Sequence, residues 1–225
     1  MSSFHDRIYS EPMDPVSRFA FDHNVAAVFN DMINRSVPGY AHVIAMTGLI
    51  VKRYLKPETT CYDLGCSLGA SLISVLSQKP DPGCRFIGID NSEPMLERCR
   101  ENLGLQTGGE SVELICDSIE KADFSSAGAV IMNYTLQFIE PSLRSRLLGR
   151  IYRQMLPGAV MLIADKICFQ DAVEQDRATR LHHDFKRANG YTELEISQKR
   201  AALEYLLIPD TIDDHIERLK TAGFS

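Results

Sequence analysis

A short apolar strand that ends in an acid and runs into a glycine-spaced turn, Tyr62-Asp63-Leu64-Gly65-Cys66-Ser67-Leu68-Gly69-Ala70, most narrows what this chain can fold into. One strand–helix unit later a second acid-tipped run follows, Gly88-Ile89-Asp90-Asn91-Ser92. Gly65 allows a sharp turn, and Gly69 is expected to let the backbone pass close to a bound ligand. Asp90 then stands where a strand-end carboxylate can accept hydrogen bonds from a ribose 2′-hydroxyl. Such geometry describes a nucleoside pocket.

The loop chemistry discriminates between nucleosides. Dinucleotide folds require G-x-G-x-x-G, and here Ser67 and Ala70 stand where the second and third glycines belong. The phosphate-cradling pattern G-x-x-x-x-G-K-[ST] occurs nowhere in the chain. An acid ahead of the loop, Asp63, suits an ammonium-bearing ligand better than a phosphate. The pattern therefore favours S-adenosylmethionine (SAM) over NAD or ATP, with a ligand-free strand–turn–helix connection as the plain alternative.

Alternating strand and helix patterns surround this motif. Asp22 to Ile33 reads as an amphipathic helix, Ser36-Val37-Pro38-Gly39 breaks it, and Tyr40 to Leu55 resumes a helical pattern. Strands are expected at Thr60–Leu64, Arg85–Asp90, Val112–Cys116, Ala129–Asn133 and Val160–Ala164. Helices are expected at Leu68–Ser77, after the Ser92 cap, and at Pro141–Met155. That alternation predicts an α/β fold, with a mostly parallel sheet and helices on both faces. Ligands of such sheets bind at the carboxyl ends of the strands, here marked by Asp63, Asp90, Asp117 and Asn133. For Asp117 and Asn133 a capping role is the competing reading.

Composition closes off other classes. The net charge of −6 argues against a nucleic-acid surface, which needs clustered Lys and Arg. The longest apolar stretch, Ala159 to Ala164, is far short of the ~20 residues a membrane helix requires, and the N-terminus has no hydrophobic signal region. Cys61, Cys66, Cys84, Cys99, Cys116 and Cys168 form no C-x-x-C pair, so reduced thiols in a cytoplasmic protein are expected. His182 and His183 are adjacent on a helix and point about 100° apart, so no metal site is expected of them.

The segments Arg35-Ser36-Val37-Pro38-Gly39-Tyr40, Asn133-Tyr134-Thr135-Leu136-Gln137-Phe138, His182 to Tyr191 and Glu193 to Arg200 closely resemble the carboxy-S-adenosyl-L-methionine synthase family. The resemblance runs over nearly the whole chain. It implies a Rossmann-like class I methyltransferase fold with extra N-terminal helices, used not for methyl transfer but for making carboxy-SAM and phenylpyruvate from SAM and prephenate. It also implies that the product supplies carboxymethyl groups to a separate enzyme that modifies the wobble uridine of tRNA. By resemblance, Tyr40, Gly65, Cys66, Ser67, Asp90, Asn91, Asp117, Ser118 and Asn133 match SAM-contacting positions, alongside Asp63 from the motif itself. Arg200 matches the arginine that meets the transferred carboxylate, which relatives are thought to donate across a homodimer interface; Arg200, Tyr40 and Asn133 are the expected catalytic set. Residues 1–56 are expected to cap the SAM site, and residues 57–225 to form the binding domain with a helical insertion at about 170–208. The family continues past Ala222-Gly223-Phe224 into an antiparallel hairpin, whereas this sequence stops at Ser225, so the fifth strand is expected to lie at an open edge. Ser118 replaces an aliphatic residue, and an adenine contact there is expected through its backbone N–H. An ordinary SAM-dependent methyltransferase and a non-catalytic SAM-binding protein would carry the same glycine loop. The cationic stretch from Lys186 to Arg200 separates them, since a neutral acceptor has no need of it.

Overall fold

The structure, a computed structural model, describes residues 5–225. Two helices lead. The first, α1 (His23–Ser36), starts where the Asp22 carboxylate accepts from the Val25 amide at 2.9 Å. It ends at the Val37-Pro38-Gly39 break, where Gly39 adopts φ +73° and launches α2 (Tyr40–Tyr54). The alternating part then runs β1 (Thr60–Leu64), α3 (Ala70–Ser77), β2 (Arg85–Asp90), α4 (Glu93–Gly104), β3 (Val112–Cys116), β4 (Ala127–Asn133), α5 (Pro141–Gln154) and β5 (Met155–Ala164). Three helices follow: α6 (Ala172–Ala188), α7 (Glu193–Leu203) and α8 (Ile212–Ala222).

All five strands are parallel, in the order β3-β2-β1-β4-β5, with β3 and β5 at the edges. The order reverses between β1 and β4, which opens a crevice at their carboxyl ends. Alternate strand residues serve opposite faces. Tyr62, Leu64, Ile87, Ile89, Val130 and Met132 pack with Leu147, Leu148 and Ile151 of α5. Cys61, Phe86, Ala129 and Ile131 pack on the other face with Leu72, Val75, Leu96, Cys99 and Val51. Full burial of a side chain such as Leu64 or Ile131 stabilises by about 1.5–3 kcal/mol. Helix α2 lies close on α3 because Gly48 has no side chain: a Cβ there would sit 2.4 Å from Ser74 Oγ.

Several boundaries differ from the sequence expectation. Helix α3 begins at Ala70 rather than Leu68, because Gly69 takes φ +82° and ends the loop first. Strand β5 reaches back to Met155, pairing with Ala127 before a register shift brings Val160 opposite Ala129. Its early segment contains Pro157 and Gly158, which mask it as a strand in the sequence. Helix α8 was not anticipated. Its Thr211-x-x-Asp214 capping box is a readable start signal.

Two polar staples fix the added helices. Residues near the N-terminus are strapped to α7: Gln198 accepts from the Met13 amide at 2.6 Å and donates to Tyr9 and Glu11 carbonyls. Arg144 of α5 is fully buried; it donates to the carbonyls of Ile139, Gln137 and Ile208 and pairs with Asp210 at 2.6 Å. Burial opposes the Asp210 charge, but the Arg218 and Arg144 guanidiniums hold its carboxyl below the usual range.

Candidate functional site

The turn after β1 is built by backbone constraint. Gly65 sits at φ +73°, and a Cβ there would lie 2.4 Å from Thr135 Oγ1. The amides of Gly65 and Cys66 both donate to the Ile89 carbonyl, tying the loop to β2. Ser67 holds φ +52°, a left-handed conformation costing a non-glycine residue about 1–2 kcal/mol, and its amide donates to Asp90 Oδ2 at 2.9 Å. The Ser67 hydroxyl is buried without a partner among the described residues. The other Asp90 oxygen accepts from the Ser92 amide at 3.0 Å. Each oxygen keeps a lone pair, so the carboxylate can also receive two ribose hydroxyls. Burial raises the Asp90 pKa despite the backbone donors.

Asp63 is the most exposed to electrostatic cost. It is buried, one of its oxygens has no partner among the described residues, and burial followed by the charge of Asp90 pushes its pKa up to about 7. A cationic ligand group is what such a carboxyl lacks. Tyr40 lies close enough to feel Asp63, and burial together with that charge raises the phenol strongly. Its ring stands 5.8 Å from that of Tyr134, which is itself at φ +58°. Two strained non-glycine residues, Ser67 and Tyr134, thus flank one crevice.

The sign of the Asp63 shift makes a prediction. A carboxyl whose folded pKa is raised binds its proton more tightly folded than unfolded. Its contribution to stability therefore falls as pH rises from the ordinary carboxylate range through about 7. A ligand ammonium restores the charged form, so SAM binding at about pH 6 should release a proton. Calorimetry in buffers of different ionisation enthalpy would register that proton. Asp63→Asn should abolish the release, and an unchanged release would remove Asp63 from the ligand site.

The remaining expected residues divide. Asn133 donates its amide hydrogens to Thr47 Oγ1 and Ser71 Oγ, each at 3.0 Å, which leaves its side-chain oxygen for a ligand. Cys66 turns its thiol into the core toward Cys99, so only its backbone faces the crevice. The space beside Gly69 is filled by Cys99 Sγ, 2.8 Å from where a Cβ would be. Close packing against α4 and the positive φ therefore each require a glycine there, apart from any approach to a ligand. Asp117 closes its own turn, accepting the Ser118 amide at 2.7 Å. The N–H expected for adenine is thus already donated, and a purine must share or displace it. Asn91 is exposed beside Asp90.

Arg200 stands apart from these strand ends. It is exposed on α7, where with His183, Glu193 and Glu204 it lines a groove of about 300 Å³. Its charge reaches Lys166, which follows β5. Not all of the cationic stretch is available for a ligand. Lys199 is buried, donating to Ser36 Oγ at 3.0 Å and pairing with Asp6 at 3.8 Å. Arg187 pairs with Asp184 and Glu193.

Sequence reasoning missed Thr47 and Ser71, the supports of Asn133, because neither belongs to a motif. It also missed Asp165 beyond β5, whose oxygens are buried without a partner. Burial pushes Asp165 up to about 7, an effect that the nearby Gln137 and Thr135 amides, too poorly placed to bond it, and the Arg144 charge soften without cancelling. A strand-end acid ahead of a lysine was the available signal.

Comparison with known proteins follows the same line. A family model described as a methyltransferase domain matches residues 62–158. A carboxy-S-adenosyl-L-methionine synthase of Shewanella denitrificans is 48% identical over 225 residues, covering 100% of this chain and 93% of its own. The protein of that name from Trichlorobacter lovleyi is 47% identical over 226 residues, with the same coverage. Among solved structures, a cyclopropane synthase of Mycobacterium tuberculosis superposes with a TM-score of 0.60 at 18% identity, over 81% of this chain and 60% of that one. A mitomycin 7-O-methyltransferase gives 0.58 at 16%, over 89% and 50%. These two likenesses concern the fold alone.

Proposed function

Because the chain belongs to the carboxy-S-adenosyl-L-methionine synthase family, enzymes that convert SAM to carboxy-SAM, we propose that prephenate is its carboxyl donor and that the strand-end crevice holds the SAM. In this reading Asp90 binds the ribose, Asp63 the methionine ammonium, and Asn133 and Tyr40 line the sulfonium side. The backbone of Gly65, Cys66 and Ser67 follows the ligand, while Asn91, Asp117 and Ser118 border the adenine. Helices α1 and α2, with residues up to 56, form a cap, and residues 57–225 form the binding domain with α6 and α7 as an insertion. The observation that supports this reading most is charge: among the described residues neither Lys166, just past β5, nor Arg200, on α7, is paired with a carboxylate, and the Arg200 charge reaches Lys166. A carboxylate-bearing donor requires such charge, and a neutral methyl acceptor does not.

The chemistry balances without a dedicated protein base. The bond from the prephenate ring to its carboxylate breaks, and that electron pair aromatises the ring while expelling the ring hydroxide. Hydroxide removes a proton from the SAM methyl, acidified by the adjacent sulfonium, and becomes water. The resulting ylide carbon captures the carbon dioxide. The protein positions the partners and keeps water from the ylide. Arg200 then meets the new carboxylate with a two-pronged guanidinium, donated across a homodimer interface; its exposure on α7 suits that role. The product supplies carboxymethyl groups for wobble-uridine modification, and the six free cysteines suit a reducing cytoplasm.

Prephenate carrying ¹³C in its ring carboxylate tests the donor assignment. The label should move into carboxy-SAM. Unlabelled carboxy-SAM formed from labelled donor would mean that the carboxyl comes from elsewhere.

A further inference from the structure

Two lysines are left without a structural role. Lys166 follows Asp165 off the carboxyl end of β5, and Lys186 stands on α6 one turn beyond His182. Among the described residues neither ammonium is held by a hydrogen bond or a carboxylate, while Lys199 and Arg187 close by are both paired. Lys166 keeps much of its stem in solvent although protein crowds its ammonium; Lys186 is half-buried. Burial lowers both, Lys186 to about 8, and like charges lower them further: Lys166 acts on Lys186, and Arg200 on Lys166. The neighbours supply no countercharge. His182 is held neutral by burial, its Nε2–H donating to the Ser36 carbonyl at 2.8 Å. The charges that act on Asp165 come from Arg144 and Asp210. Two repelling lysines from separate elements, neither bonded to an acid among the described residues, describe a seat for an anion.

That seat adjoins the crevice. Asp165 acts on Tyr134, whose ring stands 5.8 Å from Tyr40, and Tyr40 in turn feels Asp63. From the other side, His182 anchors the turn that delivers Tyr40.

We propose that Lys166 and Lys186 hold the 2-oxo-acid carboxylate of the donor, the one that survives the reaction, and leave the ring carboxylate unclamped. This rests on prephenate as the donor. A cation pressed on the departing carboxylate would stabilise the charge that must disperse as carbon dioxide forms, and so slow the step. The retained carboxylate keeps its charge throughout. Cations placed on it bind substrate and transition state alike, which shows in KM rather than in kcat.

Lys166→Met and Lys186→Met keep the apolar stem and remove the charge. Each should raise the KM for prephenate by about tenfold or more, with kcat within about threefold and the KM for SAM unchanged. Phenylpyruvate carries only the retained carboxylate, so its binding by calorimetry should weaken by a similar factor. Three results would overturn the proposal: kcat falling while KM holds, SAM affinity falling in step, or phenylpyruvate binding both variants as tightly as the parent. If the parent protein itself does not turn over prephenate, the donor assignment fails first. If it does and the variants match it, only the lysine seat fails.

Discussion

Arg144→Ala should cost about 3–5 kcal/mol of stability, the largest loss expected of any single substitution considered. Arg144 is fully buried and spends its donors on three carbonyls and the Asp210 carboxylate. Truncation would strip the guanidinium from the Ile139 and Ile208 carbonyls, leave Gln137 with the Ile208 amide alone, and leave Asp210 with Arg218 alone, in a site that gives little access to water. The effect should also be functional, because two of the carbonyls that Arg144 holds, those of Gln137 and Ile139, lie in the turn from Leu136 to Phe138 and just after it. That turn follows Asn133 and Tyr134 directly. Guanidinium unfolding should therefore show a lower midpoint, and SAM affinity should fall with it. Arg144→Lys should recover only part of the loss, since an ammonium lacks the planar fork. A loss under about 1 kcal/mol would mean that α5 and the segment before α8 are held by apolar packing and not by this staple.

Arg200→Ala is the second large effect. It should weaken carboxy-SAM binding by roughly 2 kcal/mol or more while SAM affinity changes much less, because only the product carries the new carboxylate. Arg200→Lys should restore part of it. If the arginine serves the partner's site, neither Arg200→Ala nor Asp90→Ala protein should be active alone. Mixing them should recover some activity in the heterodimer, where one site keeps both residues. Equal losses for both ligands would assign Arg200 to the fold.

The parallel sheet and the turns at its carboxyl edge were legible because they rest on local signals. The acid-tipped strand at Tyr62–Leu64, the Gly65 turn and the Ser92 cap each act over a few residues, and the structure places them as expected. Gly69 illustrates the limit. Its spacing suggested ligand approach, but Cys99, reached through the fold of α4, fills the space beside it. The charge pattern alone does not separate Lys199 from Arg200, and only the family resemblance singles out the arginine. Only tertiary contact shows that Asp6 and Ser36 hold the first while the second stays exposed. Arg144 was invisible for the same reason, since its partners lie about one turn and some sixty-six residues away. Strand β5 escaped in part because Pro157 and Gly158 break its pattern before Val160 restores it.

A methyltransferase fold here makes carboxy-SAM. Incubating the purified protein with SAM and prephenate, and weighing the nucleoside products by mass spectrometry, tests it most directly. A nucleoside heavier than SAM by one carbon dioxide should form together with phenylpyruvate, and only when protein, SAM and prephenate are all present. S-adenosylhomocysteine without any heavier nucleoside would contradict it and identify ordinary methyl transfer instead.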